Sequence, residues 1–296
     1  DILGSAASLK RLMVKEIEAD AQQFADTRRT LIQAEKKAVA EVKVVDEPVT
    51  VVISEKGWVR ARTGHEHEPA SFTFKAGDAL YRAFECRTVD TLLAFGNNGR
   101  VYSVPVAGLP GARGDGQPVL TLIELEAGTQ LLHYFAGPSQ AQLLLSGSGG
   151  YGFIAHVGDM ISRQRGGKAF ITCNAGETVC APSSIGGTNG SVPVPEATHI
   201  ACASAGGRLL TFPIGELRTM PNGGRGLMLM SLEDKDVLIG AAAYTRSIRV
   251  QGTGRGGKPR EETLEIRSLN NAAAARGRKG KAADWGFKPQ RIRRIE

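Results

Sequence analysis

Short glycine-rich loops that carry arginine and lysine recur along the chain, and their residue types suit contact with an anion. They are Gly111-Ala112-Arg113-Gly114, Gln164-Arg165-Gly166-Gly167-Lys168, Asn222-Gly223-Gly224-Arg225-Gly226, Gly254-Arg255-Gly256-Gly257-Lys258 and Arg276-Gly277-Arg278-Lys279-Gly280-Lys281. Glycine lets a backbone approach a phosphate closely, while Arg and Lys neutralise its charge and release counterions. One such loop alone is more typical of a mobile surface turn. Recurrence at one point of each repeat predicts that the loops line one rim.

Two glycine patterns resemble nucleotide-binding motifs but lack the context that such motifs need. Residues 252–258 have the glycine and lysine spacing of a P-loop, but Pro259 stands where a magnesium-binding Ser or Thr is required. Gly147, Gly149 and Gly152 match GxGxxG, yet no helical pattern follows, and a hairpin turn explains them. We therefore expect no cofactor site in this chain.

Other polar groups also fail to form a catalytic or metal-binding set. His65 and His67, each followed by a glutamate, have no third ligand group, so a solvated loop fits them better. Ser148 lacks a GxSxG frame and triad partners, which is typical of a turn residue. The four cysteines show no CxxC spacing, and we expect them to be reduced and buried in a cytoplasmic protein. No catalytic residue and no metal site is predicted.

Composition and charge favour a folded protein with a polyanionic partner. The 296 residues are 42% hydrophobic, include 37 glycines and carry a net charge of +7. Residues 276–296 hold eight Lys or Arg against two acidic residues. Because a basic tail is often only solvated, its charge is supporting evidence for an anionic partner and not proof of one. No apolar run approaches the roughly 18 residues of a membrane span. The chain opens inside a helical pattern, so we expect it to be part of a longer protein.

The chain divides into a helical segment and a repeating β region. Residues 1–45 have a helical apolar periodicity that includes Leu9, Met13 and Ile17, with a break expected near Asp26. From Pro48 the pattern changes to strand, glycine turn, strand. The repeats are predicted at about 48–89, 90–139, 140–190 and 197–245, with a degenerate fifth at 246–296. Later strands are expected after Ala-Gly turns, for example at residues 178–180.

This spacing is typical of propeller blades of about four strands each. The predicted fold class is therefore mainly β: a propeller-like β-pinwheel of about five blades, open or broken, preceded by an α-helical segment. Among all sequence patterns, the periodicity of these hairpins is the strongest result.

Several motifs resemble the A subunits of gyrase and topoisomerase IV, the type IIA topoisomerases. Phe24-Ala25-Asp26-Thr27-Arg28-Arg29-Thr30 resembles the Phe-Gly-Asp-x-Arg-Arg-Thr signature that follows their DNA-cleavage core, with Ala25 in place of glycine. Residues 1–19 resemble the helix returning from the C-gate coiled coil, and the repeats from Pro48 resemble the terminal β-pinwheel. Residues 164–169 resemble the gyrase-A box, Gln-Arg-Arg-Gly-Gly-Lys-Gly, but lack one Arg and the last Gly and lie in the third repeat. Gyrase carries an intact box in its first repeat, so a degenerate box in the third repeat resembles topoisomerase IV more than gyrase.

The resemblance implies partners and an activity for a parent enzyme. That enzyme would be an A2B2 complex with an ATPase B subunit, using ATP and Mg²⁺ through other domains to decatenate and relax DNA during chromosome segregation. It would be a bacterial, cytoplasmic and nucleoid-associated protein. The cleaving tyrosine belongs to the upstream core, so this chain is not expected to cleave DNA alone.

The sequence thus predicts a domain that binds and bends duplex DNA on a basic outer rim and steers strand passage. The candidate DNA-binding residues are Arg113, Arg163, Gln164, Arg165, Lys168, Arg225, Arg255, Lys258, Arg278, Lys279 and Lys281. A protein-interaction propeller without DNA binding is the main alternative. An enzyme with its site in the central channel is a third, although no acid, base or metal residues cluster there in the sequence pattern.

Overall fold

The computed structural model describes residues 5–25, 44–111, 114–189 and 192–295. The chain divides into two compact units, Asp1–Lys43 and Val44–Glu296. In the first unit, helix α1 spans Ala6–Phe24 and ends where Ala25 turns extended. Alanine, leucine, lysine and glutamate dominate this span, and it contains no glycine or proline, which favours a helix. The rest of the Phe24–Thr30 motif lies outside the described residues.

The second unit is built almost entirely of short strands. They are β1 (Pro48–Ser54), β2 (Trp58–Thr63), β3 (Leu80–Arg87), β4 (Thr91–Gly96), β5 (Arg100–Pro105), β6 (Gln117–Pro118), β7 (Leu131–Gly137), β8 (Gln142–Ser146), β9 (Tyr151–His156), β10 (Lys168–Ala169), β11 (Ser183–Ser184), β12 (Gly187–Asn189), β13 (Val192–Val194), β14 (His199–Ser204), β15 (Arg208–Pro213), β16 (Leu227–Met228), β17 (Leu238–Tyr244), β18 (Ser247–Thr253), β19 (Pro259–Glu265), β20 (Lys281–Ala282) and β21 (Lys288–Arg294).

Short helices follow the second strand of several repeats. The α-helices are α2 (Val157–Met160) and α3 (Ile266–Asn271), and 3₁₀ turns occur at Pro69–Ser71, Val106–Gly108, Val119–Thr121, Ile214–Glu216 and Arg255–Gly257.

The strands form five main sheets, one for each predicted repeat. In order of hydrogen bonding, sheet 1 is β3-β1-β2-β6, sheet 2 is β7-β4-β5-β10, sheet 3 is β11-β8-β9-β16, sheet 4 is β17-β14-β15-β20, and sheet 5 is β21-β18-β19. Strands β12 and β13 pair separately as a two-stranded ribbon. The first strand named for each sheet contacts the first strand of a neighbouring sheet: β3 contacts β7, and β17 contacts β21. These strands therefore lie at the centre of the pinwheel. The prediction of a mainly β, five-bladed pinwheel with an N-terminal helix is confirmed.

Each of the first four sheets receives its outermost strand from the next repeat. Strand β6 belongs to the second repeat but pairs with β2 of the first, and β10 of the third repeat pairs with β5 of the second. The same exchange places β16 on β9 and β20 on β15. Consecutive blades are therefore linked by backbone hydrogen bonds as well as by packing.

Four hydrophobic cores fill the spaces between consecutive sheets. The buried clusters lie between sheets 1 and 2, 2 and 3, 3 and 4, and 4 and 5. Within the described ranges, no such cluster joins sheet 5 to sheet 1, so the pinwheel is open at this seam. The free face of sheet 1 is covered instead by its own chain, where Phe72 is buried and the Arg60 guanidinium lies 5.5 Å from the centre of the Phe74 ring.

Pro259 blocks the open edge of sheet 5. The pairings Ile53–Val59, Phe95–Val101, Ser146–Gly152, Ala203–Leu209 and Thr253–Pro259 are equivalent in the five sheets. In sheets 1 to 4 this position pairs with the exchanged strand. Proline has no N–H to donate there, which is a known way to protect an edge strand from further pairing.

Candidate nucleic-acid interface

The exchanged strands and the loops before them run along the outside of four consecutive sheets, and we call them the rim segments. They are residues 114–118 on sheet 1, 163–169 on sheet 2, 222–228 on sheet 3 and 276–282 on sheet 4. The basic loops at residues 164–168, 222–226 and 276–281 thus lie directly before or within the exchanged strands of sheets 2, 3 and 4. Another basic loop differs: Arg255 and Lys258 belong to the β18–β19 hairpin turn of sheet 5 and not to a rim segment. Arg113 lies outside the described residues.

A glycine just before the exchanged strand lets each rim segment reach the preceding sheet. Gly167 has a φ of +60°, and a side chain there would put its Cβ 2.3 Å from the Val101 carbonyl oxygen. Gly226 has a φ of +81°, and its Cβ would lie 2.2 Å from the Gly152 oxygen. Both positions therefore exclude any larger residue. Gly167 and Gly226 therefore serve strand exchange, while Gly166, in the same loop as Gly167, has open space around it.

Arginines at the start of the second strand hold the rim segments in place, and sequence reasoning missed this role. Arg100 Nε donates to the Gly166 oxygen at 2.6 Å, and Arg208 Nη1 donates to the Gly280 oxygen at 3.4 Å. On sheet 1 Trp58 occupies that position, and Arg60, two residues further along β2, donates from Nη1 to the Gly114 oxygen at 3.0 Å. The sequence signal is an arginine directly after a hairpin glycine, as in Gly99-Arg100 and Gly207-Arg208.

The rim segment of sheet 2 presents positive charge that no described carboxylate neutralises. Arg163 is exposed, and its side chain makes no hydrogen bond or salt bridge to any described residue. Arg165 donates from Nε and Nη2 to the carbonyl oxygens of Leu122 (3.2 Å) and Thr121 (3.0 Å), which orients the guanidinium without cancelling its charge. Lys168 Nζ lies 5.4 Å from the centre of the Phe170 ring. Gln164 is exposed beside them.

The rim segment of sheet 3 is electrically different because its arginine is paired. Arg225 donates to both carboxylate oxygens of Glu177, each at 2.8 Å, and its guanidinium lies 4.2 Å from the centre of the Tyr151 ring. The hydrogen bond from Arg225 lowers the pKa of Glu177, and the same bond raises the pKa of Arg225. Glu177 also accepts from the Asn174 N–H at 2.8 Å. The charge of Arg225 is thus held and cancelled.

The rim segment of sheet 4 again exposes cations. Arg278 and Lys281 are exposed, and neither side chain has a hydrogen bond or salt bridge within the described part of the chain. Lys279 Nζ lies 3.8 Å from a carboxylate oxygen of Glu233, which also pairs with Arg208 at 2.7 Å. Arg276, which the sequence reasoning did not select, donates to the Met228 oxygen at 2.6 Å.

The histidines and cysteines singled out in the sequence take part in local packing and hydrogen bonding. His65 Nε2 lies 2.8 Å from the Cys86 oxygen and His67 Nε2 lies 3.0 Å from the Thr63 oxygen. The four cysteines are free, and burial raises the pKa of Cys86 and of Cys180 to about 12. Among the described residues, no three His, Cys, Asp or Glu side chains come together as metal ligands. None of the helices in the described ranges has the length and hydropathy needed to span a bilayer.

Comparisons with known proteins identify a shared family. The family model for the DNA gyrase C-terminal domain, a beta-propeller, matches residues 90–125 and 198–244. The A subunit of DNA topoisomerase 4 from Neisseria gonorrhoeae is 38% identical over 94% of this chain, and that from Escherichia coli K12 is 31% identical over 94%. The chain spans only 36% and 37% of the lengths of these relatives. The solved C-terminal domain of E. coli ParC superposes with a TM-score of 0.68 at 27% identity, covering 83% of this chain and 98% of that one.

Proposed function

The chain belongs to the family of C-terminal domains found in the A subunits of gyrase and topoisomerase IV, and we propose that its rim binds duplex DNA through the phosphate backbone. The observation that carries this proposal is the set of unneutralised cations on the rim segments of sheets 2 and 4. They are Arg163, Arg165, Lys168, Arg278 and Lys281. Lys279 lies beside them but shares Glu233 with Arg208.

Phosphate contact would dominate this interaction, and base reading would be slight. The rim segments are loops and two-residue strands, and the described rim carries no helix long enough to enter a major groove. Arginine and lysine on such loops contact phosphate oxygens, which position DNA without specifying its sequence. Each phosphate contact made in the complex adds about 0.9 to the slope of log affinity against log salt concentration.

The position of the cations supports bending of the bound duplex. Two cationic segments are separated by the neutral Arg225–Glu177 pair on sheet 3, so DNA following the rim would be attracted at two places on a curved surface. Attraction on one side of a duplex favours bending toward the protein. Arg255 and Lys258, on the hairpin turn of sheet 5, and Arg113 stay predictions as further contacts.

We place this activity in a larger enzyme. The domain would hold one duplex for an A2B2 topoisomerase IV, in which the B subunit hydrolyses ATP and the core of the A subunit passes one duplex through another. Decatenation and relaxation, chromosome segregation and a cytoplasmic, nucleoid-associated location follow from this placement. They rest on the relatives, which this chain matches over little more than a third of their length.

The test is fluorescence anisotropy of the chain with a 40-bp duplex, titrated at several salt concentrations. Replacing Arg163, Arg165 and Lys168 with glutamine should lower the slope by up to about 2.7, since three contacts are removed. A matched Arg267→Gln variant changes an exposed arginine on α3, outside the rim segments, and should leave the slope unchanged. Absence of binding at low salt would contradict the proposal and favour a protein-docking propeller.

A further inference from the structure

A cleft opens on the free face of sheet 5, at the seam where no other sheet packs. Its volume is about 430 Å³, and its lining includes Gln251, Arg260, Glu261, Gln290 and Arg291. The lining comes from all three strands of the sheet, β18, β19 and β21. A cleft of this size on paired strands has room for a small ligand and a fixed frame to hold it.

Positive charge at this cleft exceeds the carboxylates available to it. Arg291 lines the cleft and Arg293 lies two residues further along the same face of β21; neither side chain has a hydrogen bond or salt bridge with any described residue. Both Glu261 carboxylate oxygens are engaged, one by Gln251 Nε2 at 2.9 Å and the other by Arg249 at 3.6 Å. The glutamate therefore balances Arg249 and leaves Arg291 and Arg293 uncompensated.

A third arginine adds to this charge from the other side of the seam. Arg82 lies on β3 of sheet 1, and its guanidinium contacts the Phe84 ring at 5.3 Å instead of an acid. Partial desolvation by its neighbours lowers the pKa of Arg82, although the residue is exposed, and the positive charge of Arg293 also acts to lower it. Burial raises the pKa of Tyr81 on β3, and the positive charge of Arg291 opposes that rise. Burial lowers the pKa of His133 on β7, and the charge of Arg291 acts in the same direction. The positive charges of Arg82 on sheet 1 and Arg293 on sheet 5 are thus close enough to repel each other.

We propose that the seam cleft is a binding site for an oligophosphate anion, held by Arg291 and Arg293 with Arg82 opposite. Guanidinium groups bind phosphate oxygens through two parallel hydrogen bonds and lose less hydration energy than ammonium groups do. A chain of phosphates carries several negative charges in a small volume, so one ligand can neutralise three arginines. A single carboxylate would leave two of them unbalanced. The cleft is separate from the rim segments, and the inference does not depend on the rim binding DNA.

The phosphates could belong to a free oligophosphate or to the backbone of a nucleic acid, and the experiment separates these sources. Isothermal titration calorimetry with sodium tripolyphosphate would be performed on the whole chain, alone and saturated with a 40-bp duplex. Replacing both Arg291 and Arg293 with glutamine should weaken tripolyphosphate binding at least about tenfold, since two charge-assisted interactions are lost. Arg267→Gln, on α3 and outside both the cleft and the rim segments, is the matched control and should have no effect.

Each outcome decides the proposal. Tripolyphosphate binding that depends on Arg291 and Arg293 supports the site. If saturation with the duplex leaves tripolyphosphate binding unchanged, the natural ligand is a free oligophosphate. If the duplex competes with tripolyphosphate, the phosphates belong to the DNA backbone. If the double variant does not fold, as judged by circular dichroism, Arg82→Gln on a different strand serves instead and should weaken binding. Absence of tripolyphosphate binding to the wild-type chain, or equal weakening by Arg267→Gln, would overturn the proposal.

Discussion

Replacing Glu177 with glutamine should turn a neutral point of the rim into a DNA contact. In the wild-type chain Glu177 holds Arg225 with two hydrogen bonds of 2.8 Å and cancels its charge. Glutamine keeps the size of the side chain and an oxygen that accepts from the Asn174 N–H, but it has no charge. Arg225 would then be free to meet a phosphate between the cationic segments of sheets 2 and 4.

The size of the effect follows from counterion release. One added phosphate contact raises the slope of log affinity against log salt by about 0.9. The ratio of variant to wild-type affinity should therefore grow about 3.5-fold as salt falls from about 0.2 M to about 0.05 M. Folding should be weakened by no more than about 1 kcal/mol, because the pair is partly exposed, with 27% of the Arg225 side chain and 19% of the Glu177 side chain accessible.

Anisotropy with a 40-bp duplex measures this change, and two further variants complete a double-mutant cycle. Arg225→Gln alone leaves the Glu177 charge unpaired on the rim and should weaken DNA binding by repulsion, so the informative comparison is the double variant, which is neutral at this point as the wild-type pair is. The double variant should return to the wild-type slope. If the double variant had a lower salt slope than the wild-type chain, Arg225 would already contact DNA, and the reasoning about a neutral point would be refuted.

Three other changes test the fold. Gly167→Ala should destabilise the domain by about 2 kcal/mol or more and lower its melting temperature by roughly 4–8 °C. Gly166→Ala should not, because residue 166 has open space around it. Equal melting temperatures for the two variants would contradict the strand-exchange role of Gly167. Burial lowers the pKa of His133 from 6.5 to about 4, so as the pH falls the unfolded chain binds this proton before the folded chain does. The free energy of unfolding should therefore decline between pH 6.5 and about 4, by at most roughly 3 kcal/mol. Urea titrations should show this decline in the wild-type chain but not in His133→Gln. Pro259→Val restores an N–H on the edge of sheet 5 and should produce dimers in sedimentation velocity, whereas a strictly monomeric variant would show that the proline does not protect this edge.

The blade pattern was readable from the sequence because it is local. A hairpin needs two apolar strands and a turn with positive φ, and the pairs Asn98-Gly99, Gly149-Gly150 and Gly206-Gly207 supply it. One later strand was predicted wrongly: residues 178–180 form only a single bridge, between Gly147 and Val179, and pairing resumes at β11. Pro182 lies between these points and cannot donate to a ladder.

The organisation of the rim depends on contacts between repeats, which sequence spacing does not reveal. In the sequence, Gly167 lies beside Arg165 in what looks like an anion-binding loop. The structure shows instead that Gly167 is required where the exchanged strand packs on sheet 2. The partner of Arg225, Glu177, belongs to the preceding repeat and follows an Ala-Gly turn that has no charge pattern of its own. Arg255 and Arg278 occur in similar glycine-rich surroundings, yet one lies in a hairpin turn and the other in a rim segment.

Lysine acetylation footprinting of the chain, with and without a saturating 40-bp duplex, tests the rim most directly. Mass spectrometry would compare Lys168 and Lys281, on the rim segments of sheets 2 and 4, with Lys288, which is exposed at the start of the central strand β21. The account predicts that DNA protects Lys168 and Lys281 and leaves Lys288 reactive. Protection of Lys288 with Lys168 and Lys281 still fully reactive would contradict it, because the duplex would then lie at the centre of the pinwheel and not on its rim.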